Sequence, residues 1–395
     1  MALQKEGVST VSGGVLLLLA AACGFIVANL YYAQPLIEPI AAATGLSSSA
    51  AGLIVTLTQL GYVLGLLFLV PLSDLVENRK LAVLLLGMVT LSLAAAAFVS
   101  TAALFLIAAA MIGLGSVVAQ ILVPYAAHLA SEEDRGRVVG NVMAGLMLGI
   151  LFARPVASFL ASSFSWRTVF LLSAGIMAVL MLVLAVALPA RKPIPVLRYP
   201  ALIRSLGTLY VRTPILRRRA LYQACLFGAF SLFWTVIPLR LSHDFGLTQQ
   251  GIAWFALAGV GGAVASPIAG RLADRGWTHA LTGAAFVLAI LSLTASSLIR
   301  GHSPLALGLL VAVAILLDMA VSGNLVLGQR AIYSLGQETR GRMNGLFMAT
   351  FFVGGALGSS LGAWAYAQAG WPFAALIAII PITLALLYFL VKDRA

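Results

Sequence analysis

The sequence predicts an all-α integral membrane protein, with twelve transmembrane helices arranged as two pseudo-symmetric six-helix bundles. Three observations predict it. Of 395 residues, 62% are hydrophobic and 9% charged, which is more apolar side chain than one water-facing domain of this length can hide. Apolar runs of roughly 20 residues, enough to cross about 30 Å of hydrocarbon, recur along the chain. The second half also repeats the first. Glu133, Arg135, Gly136, Arg137, Gly140, Met143, Ala144, Gly149 and Trp166 return 205 positions later as Glu338, Arg340, Gly341, Arg342, Gly345, Met348, Ala349, Gly354 and Trp371. Pro35 and Leu36 answer Pro238 and Leu239, and Asp74 answers Asp274, with small slips in offset.

The first run, 12 to 33, contains Leu19-Ala20-Ala21-Ala22-Cys23, which imitates a lipoprotein cleavage box. The apolar stretch continues to Ala33 and further spans follow, so it reads as an uncleaved membrane helix. Runs 49 to 72, 81 to 99, 102 to 128, 138 to 160 and 167 to 188 complete the first bundle, residues 1–188. A linker at 189–219 follows, in which five prolines alternate with eight basic residues. Within it, Leu202, Ile203, Leu206, Leu209 and Tyr210 are spaced for a short amphipathic turn on the inner leaflet, its arginines toward anionic headgroups. Runs 220 to 240, 249 to 272, 279 to 298, 304 to 330, 343 to 365 and 372 to 391 form the second bundle, residues 220–395. Glycines four apart, such as Gly61 and Gly65, Gly145 and Gly149, or Gly354, Gly358 and Gly362, allow helix backbones to approach closely. Trp166 and Trp371, near span ends, are expected to anchor at the membrane interface.

The net charge of +12 is a topology signal, because the basic residues fall between the apolar runs. Twenty of the 24 lie in the N-terminus, the C-terminus and alternate loops; Arg167, Arg240 and Arg300 lie on the other side and Arg154 within the membrane. This bias puts both termini in the cytoplasm, in a cell inner membrane, and nucleic acid is not expected as a partner. Cys23 and Cys225 sit inside apolar runs, which suggests neither disulfide nor metal. The four histidines lack ligand spacing and no phosphate-binding loop with a following Lys-Ser or Lys-Thr occurs, so neither an enzyme, nor a cofactor, nor ATP as energy source is expected.

Gly270-Arg271-Leu272-Ala273-Asp274-Arg275-Gly276, between the eighth and ninth runs, resembles the G-x-L-A-D-R-x-G signature of the major facilitator superfamily. The equivalent loop after the second run, around Asp74, Arg79 and Lys80, looks like a degraded copy. The resemblance covers the whole chain and implies the major facilitator fold. It also implies that Asp74, Arg79, Asp274 and Arg275 help to close the cytoplasmic end. The duplicated Glu-x-Arg-Gly-Arg adds Glu133, Arg137, Glu338 and Arg342 to these gate candidates. Two motifs depart from the drug and proton antiporter branch that the chain otherwise resembles. Ala109 stands where that branch carries an arginine ahead of Gly113-Leu114-Gly115, and Arg154-Pro155 precedes no glycine pair.

Of twelve acidic residues, Asp318 alone lies in mid-membrane, and Arg154 is the matching oddity among the bases. An ionised carboxylate in hydrocarbon costs several kcal/mol unless protonated or paired, so Asp318 with Arg154 is the candidate proton-coupling site. Asn29, Tyr32, Gln59, Gln120, Asn141, Gln223, Trp234 and Asn324 are the candidate cavity residues, interleaved with aromatics that suit a weakly polar organic molecule. Duplicated bundles of this kind place a site at the repeat interface. The expected function is a monomeric secondary transporter that exports a small organic compound in exchange for protons by alternating access. A proton-linked importer of a small metabolite is the alternative, with a channel or receptor behind it.

Overall fold

The computed structural model describes residues 13–193, 197–299, 301, 303–336 and 339–393. The gate candidate Glu338, and the sidedness residues Lys5, Arg300 and Arg394, lie outside the described residues. Every regular element among the described residues is helical. Among the described residues, ten helices are long and apolar enough to cross a membrane: Leu53–Asp74, Asn78–Phe98, Ala102–Leu129, Arg135–Ser163, Trp166–Ala187, Pro214–His243, Gln249–Asp274, Thr278–Leu298, Pro304–Tyr333 and Arg340–Lys392. The shorter Gly13–Ala28 precedes them as the first span. The last helix is two spans, because its backbone leaves the helical region at Ala369 and Gly370. Gly370 has φ 71°, the left-handed conformation glycine tolerates, and Pro372 follows where a new helix lacks a partner for its N–H anyway. The result is twelve spans with the predicted order.

Alternate spans run in opposite directions, so the loops near 75–77, 130–134, 189–193 with 197–219, 275–277 and 334–336 gather at one end. We call this the arginine-rich end, and the other the far end. Ser165, Thr248 and Ser303 each accept a hydrogen bond from the backbone three residues on, capping the far-end starts of spans six, eight and ten.

The repeat is visible in packing. A Cβ on Gly149 would fall inside contact distance of the Gly24 carbonyl, tying span five to span one. One on Gly358 would do the same at the Gly228 carbonyl, tying span eleven to span seven. Small residues take the place of bulk where backbones touch, which compensates for the lack of a hydrophobic driving force between helices in lipid.

Span one ends in irregular backbone. Asn29, Leu30 and Tyr31 donate to the carbonyls of Ile26, Val27 and Ala28, three residues back, at 3.3, 3.1 and 2.9 Å, before a 3-10 turn at Gln34–Leu36. Backbone of this kind is tolerated at membrane depth only inside protein. Here Tyr31 and Gln34 are 5% and 0% exposed.

Two expectations are corrected. The linker forms a fourteen-residue helix, Tyr199–Arg212, with Leu202 and Leu206 buried against the protein. Its Tyr199 hydroxyl donates to the Phe68 carbonyl at 3.0 Å, and Arg342 donates to its Ser205 at 3.0 Å, so it straps both halves together. Trp166 and Trp371 are buried, at 7% and 3% exposure, and act as core residues instead of interface anchors. Each turns its ring inward against a phenylalanine, Phe170 and Phe233 respectively.

Candidate functional site

Arg154, on span five, and Asp318, midway along span ten, come together between the two halves. Arg154 is 2% and Asp318 4% exposed. The Arg154 guanidinium lies over three rings, with its carbon 4.9 Å from the Tyr31 centroid, 5.1 Å from Phe230 and 4.5 Å from Trp234. Such cation–π contacts hold a desolvated cation in place without a counter-charge. Its Nε donates to Gln34 Oε1 at 2.6 Å, while Nη2 is buried with no partner. Asp318 Oδ1 accepts from Trp234 Nε1 at 2.9 Å. Trp234 therefore touches both charged groups. Arg154 and Asp318 feel each other's charge but form no direct ion pair.

Both line a cavity of about 180 Å³. Its deep walls are Tyr31, Phe227, Phe230, Phe351 and Phe352; its polar groups include Gln120, Gln223 and Ser322. From Asp318 the lining continues along span ten to Gln329 and Tyr333 and across to Asn344 at the start of span eleven, toward the arginine-rich end. The far side is sealed. Thr56 Oγ1 meets Ser359 Oγ at 2.8 Å and donates to the Ala356 carbonyl at 3.1 Å; Gln59 donates to Ser231 at 2.9 Å. Gln249 donates to the Pro35 carbonyl and to Ser158, and His243 meets Glu38 at 3.1 Å. Among the described residues, every direct hydrogen bond between the halves belongs to this set, so the halves are bonded to each other at the far end while the cavity lining runs toward the arginine-rich one.

Other predicted residues take varied places. Gln120 lines the cavity and donates to the Tyr62 hydroxyl at 3.0 Å. Gln223 lines it too, and Asn324 stands behind, donating to the Gln223 side-chain oxygen at 2.7 Å. Gln59 belongs to the far-end seal. Asn29 ties span one to span six by accepting from Ser173 at 2.6 Å. Tyr32 and Asn141 line a separate apolar groove between spans one and five, where Leu17, Phe25 and Leu148 are exposed. Tyr31 faces the cavity, whereas its neighbour Tyr32, on the irregular end of span one, turns to the groove.

Among the described residues, the gate candidates form no ion pair or hydrogen bond across the halves in this conformation. Asp274 pairs with Arg330, on span ten of the same half. Arg79 pairs with Glu77 at 3.4 Å and donates to the Leu188 carbonyl, again within one half. Arg137 pairs with Asp134 at 3.0 Å, while Glu133 and Arg275 are exposed. Asp74 is exposed and carries no ion pair; Arg342 of span eleven acts on it most strongly of the surrounding charges. Sequence reasoning missed the seal residues Thr56, Ser231 and Ser359, common small polar residues in apolar runs. It also missed Glu77, which is buried and takes both Arg79 and Lys80.

A family model described as Major Facilitator Superfamily matches residues 16–293 and 219–395. The chain is 40% identical over 384 residues to the uncharacterized transporter YgaY of Escherichia coli O157:H7, covering 97% of this chain and 96% of that one. It is 32% identical over 376 residues to the protein named Probable transporter SCO4007 of Streptomyces coelicolor, covering 93% and 85%. Among solved structures, a bacterial homologue of the human lysosomal transporter Spinster, captured inward-facing and unoccupied, superposes with a TM-score of 0.75 at 14% identity over 96% of both chains. That likeness speaks for the fold.

Proposed function

The chain belongs to the major facilitator superfamily of membrane transporters, and from that premise we propose that it is a proton-coupled carrier of a small organic compound, with Asp318 as the proton-carrying group. One observation carries the reading. Asp318 is a buried carboxylate in the wall of the cavity between the halves, with a single hydrogen bond and no ion pair to hold it ionised. Intramembrane ionisable groups in such places mark ion and substrate paths, because a merely structural role is cheaper to fill with a neutral residue.

The basic residues support cytoplasmic termini in a bacterial inner membrane, which makes the arginine-rich end cytoplasmic and this conformation inward-facing. The two halves, residues 1–188 and 220–395, then rock about the cavity, and one chain completes the site. The proton's relation to the substrate depends on the substrate's charge. A cationic or hydrogen-bond-donating compound would compete with the proton for Asp318 and leave in exchange for it, the export mode that the resemblance implies. An anionic compound would bind beside a protonated Asp318 and travel with it, the uptake mode. Arg154, charged and without an acidic partner, favours the second.

Proteoliposomes test the coupling. Asp318→Asn fixes the site in a neutral state, so accumulation driven by an imposed pH gradient should vanish while counterflow of labelled for unlabelled substrate survives. Full gradient-driven accumulation by the variant would remove Asp318 from the coupling role.

A further inference from the structure

Between Arg154 and Asp318 the wall of the cavity has a notch, and a glycine makes it. Gly259 has φ −58° and ψ −10°, a conformation any residue adopts, so its backbone does not require glycine. What a side chain would change is the space. A Cβ at Gly259 would stand 3.4 Å from Asp318 Oδ2, 3.8 Å from Arg154 Nη1 and 3.9 Å from the Trp234 ring. The glycine thus leaves open a point within reach of both charged groups, at ordinary contact distances.

The two groups differ in what they can do about their charge. A carboxylate becomes neutral by taking a proton, whereas a guanidinium keeps its charge in proteins. Arg154 has one hydrogen bond, from Nε to the neutral Gln34; Nη2 is buried and unpartnered, and its surroundings are aromatic faces. The permanent charge of the site is therefore positive, and whenever Asp318 holds a proton no group of the site balances it. A cationic group in the notch would meet Arg154 at close range in a low-dielectric wall, where like charges repel strongly. An anionic group there would gain a charge-assisted hydrogen bond from the planar fork that arginine presents to carboxylates. The rings of Phe227, Phe230, Phe351 and Phe352 line the same cavity and suit a flat apolar body.

We infer that the notch at Gly259 seats the anionic head group of the substrate, which is a small organic carboxylate with a planar or aromatic body. The inference rests on the carrier reading above and adds a sign to its coupling. A carboxylate beside Asp318 binds when Asp318 holds a proton, since two adjacent anions repel, so acid should strengthen binding.

Benzoate, benzamide and benzylammonium share a body and differ in head-group charge. Their binding to the purified protein, followed by calorimetry at about pH 6 and about pH 8, should rank benzoate first by about tenfold or more, with the margin growing at the lower pH. Gly259→Ala adds only a methyl at ordinary contact distance, so it should leave the melting temperature unchanged and weaken benzoate by about tenfold. Arg154→Lys, which keeps the charge but loses the fork, should weaken benzoate less than Arg154→Gln does. Absence of benzoate binding at millimolar concentration overturns the inference, as do benzamide or benzylammonium binding as tightly as benzoate, or an unaltered Gly259→Ala. Proteoliposome counterflow separates this from the carrier reading: saturable exchange of benzylammonium without benzoate sinks the anion and keeps the carrier, whereas flux of all three that rises linearly with concentration sinks the carrier.

Discussion

Trp371 shows how one residue joins spans that its sequence position does not connect. Its indole N–H donates to Ser296 Oγ on span nine at 3.1 Å, its ring meets Phe233 of span seven edge-on at 5.6 Å, and Arg240 lies over it at 5.2 Å. Arg240 in turn donates to the Ser296 and Ile299 carbonyls at 3.1 and 2.8 Å, which would otherwise be left without partners at the end of span nine. Its repeat partner Trp166 sits among Phe105 and Phe170 at centroid distances of 5.9 Å. A tryptophan near a span end was expected at the interface because position along a helix is readable from sequence, while the face it turns is not. Trp371→Ala opens a cavity at the junction of three spans and should cost about 3–5 kcal/mol, read as a lower melting temperature in detergent. Trp371→Phe keeps most of the volume and loses the hydrogen bond, so it should cost about 1 kcal/mol. A Trp371→Ala protein as heat-stable as the parent would return this residue to the membrane interface.

At the scale of elements, the two signature loops are not equivalent. The intact one, at Asp274, binds Arg330 and thereby fixes span eight against span ten inside one half. The degraded one, at Asp74, has no ion pair; among the charges that attract it Arg342, at the start of span eleven and bonded to the strap helix, comes ahead of Arg191 and His128. An attraction between halves grows as their arginine-rich ends approach, so it stabilises the conformation closed at that end. Asp74→Asn should therefore raise the population of the open conformation described here. Asp274→Asn should not, and because both side chains of its pair are largely exposed it should leave the melting temperature nearly unchanged. The reactivity of a cysteine placed at Tyr333, in a background lacking Cys23 and Cys225, reports cavity access. Equal gains in both variants, or none in Asp74→Asn, would end the distinction between the loops.

For the molecule as a whole, twelve spans and their doubling were legible because span length, loop charge and repeat spacing are one-dimensional quantities that the bilayer itself fixes. Rotation of each helix was not. Tyr31 enters the cavity and Tyr32 leaves it, Gln59 turns to the seal and Gln120 to the cavity, and no run of apolar residues says which. Gly259 was hidden for a different reason: among 38 glycines, its value lies in the two charges that converge on it from other spans. The direction of opening was equally unreadable, since the far-end seal is built from side chains that look like ordinary helix residues. That seal gives the alternating-access reading its most direct test. If the halves rock, the hydrogen bond between Thr56 and Ser359 must break in every cycle, whereas that between Asn29 and Ser173, inside one half, need not. With Thr56→Cys and Ser359→Cys together, in a background lacking Cys23 and Cys225, a disulfide is within reach, because the native oxygens are 2.8 Å apart. Oxidation should stop counterflow and reduction restore it. The pair Asn29→Cys with Ser173→Cys should retain counterflow when oxidised. Continued exchange across a fully cross-linked Thr56–Ser359 pair would mean that the far end opens by another route, and the rocking of rigid halves would have to be given up.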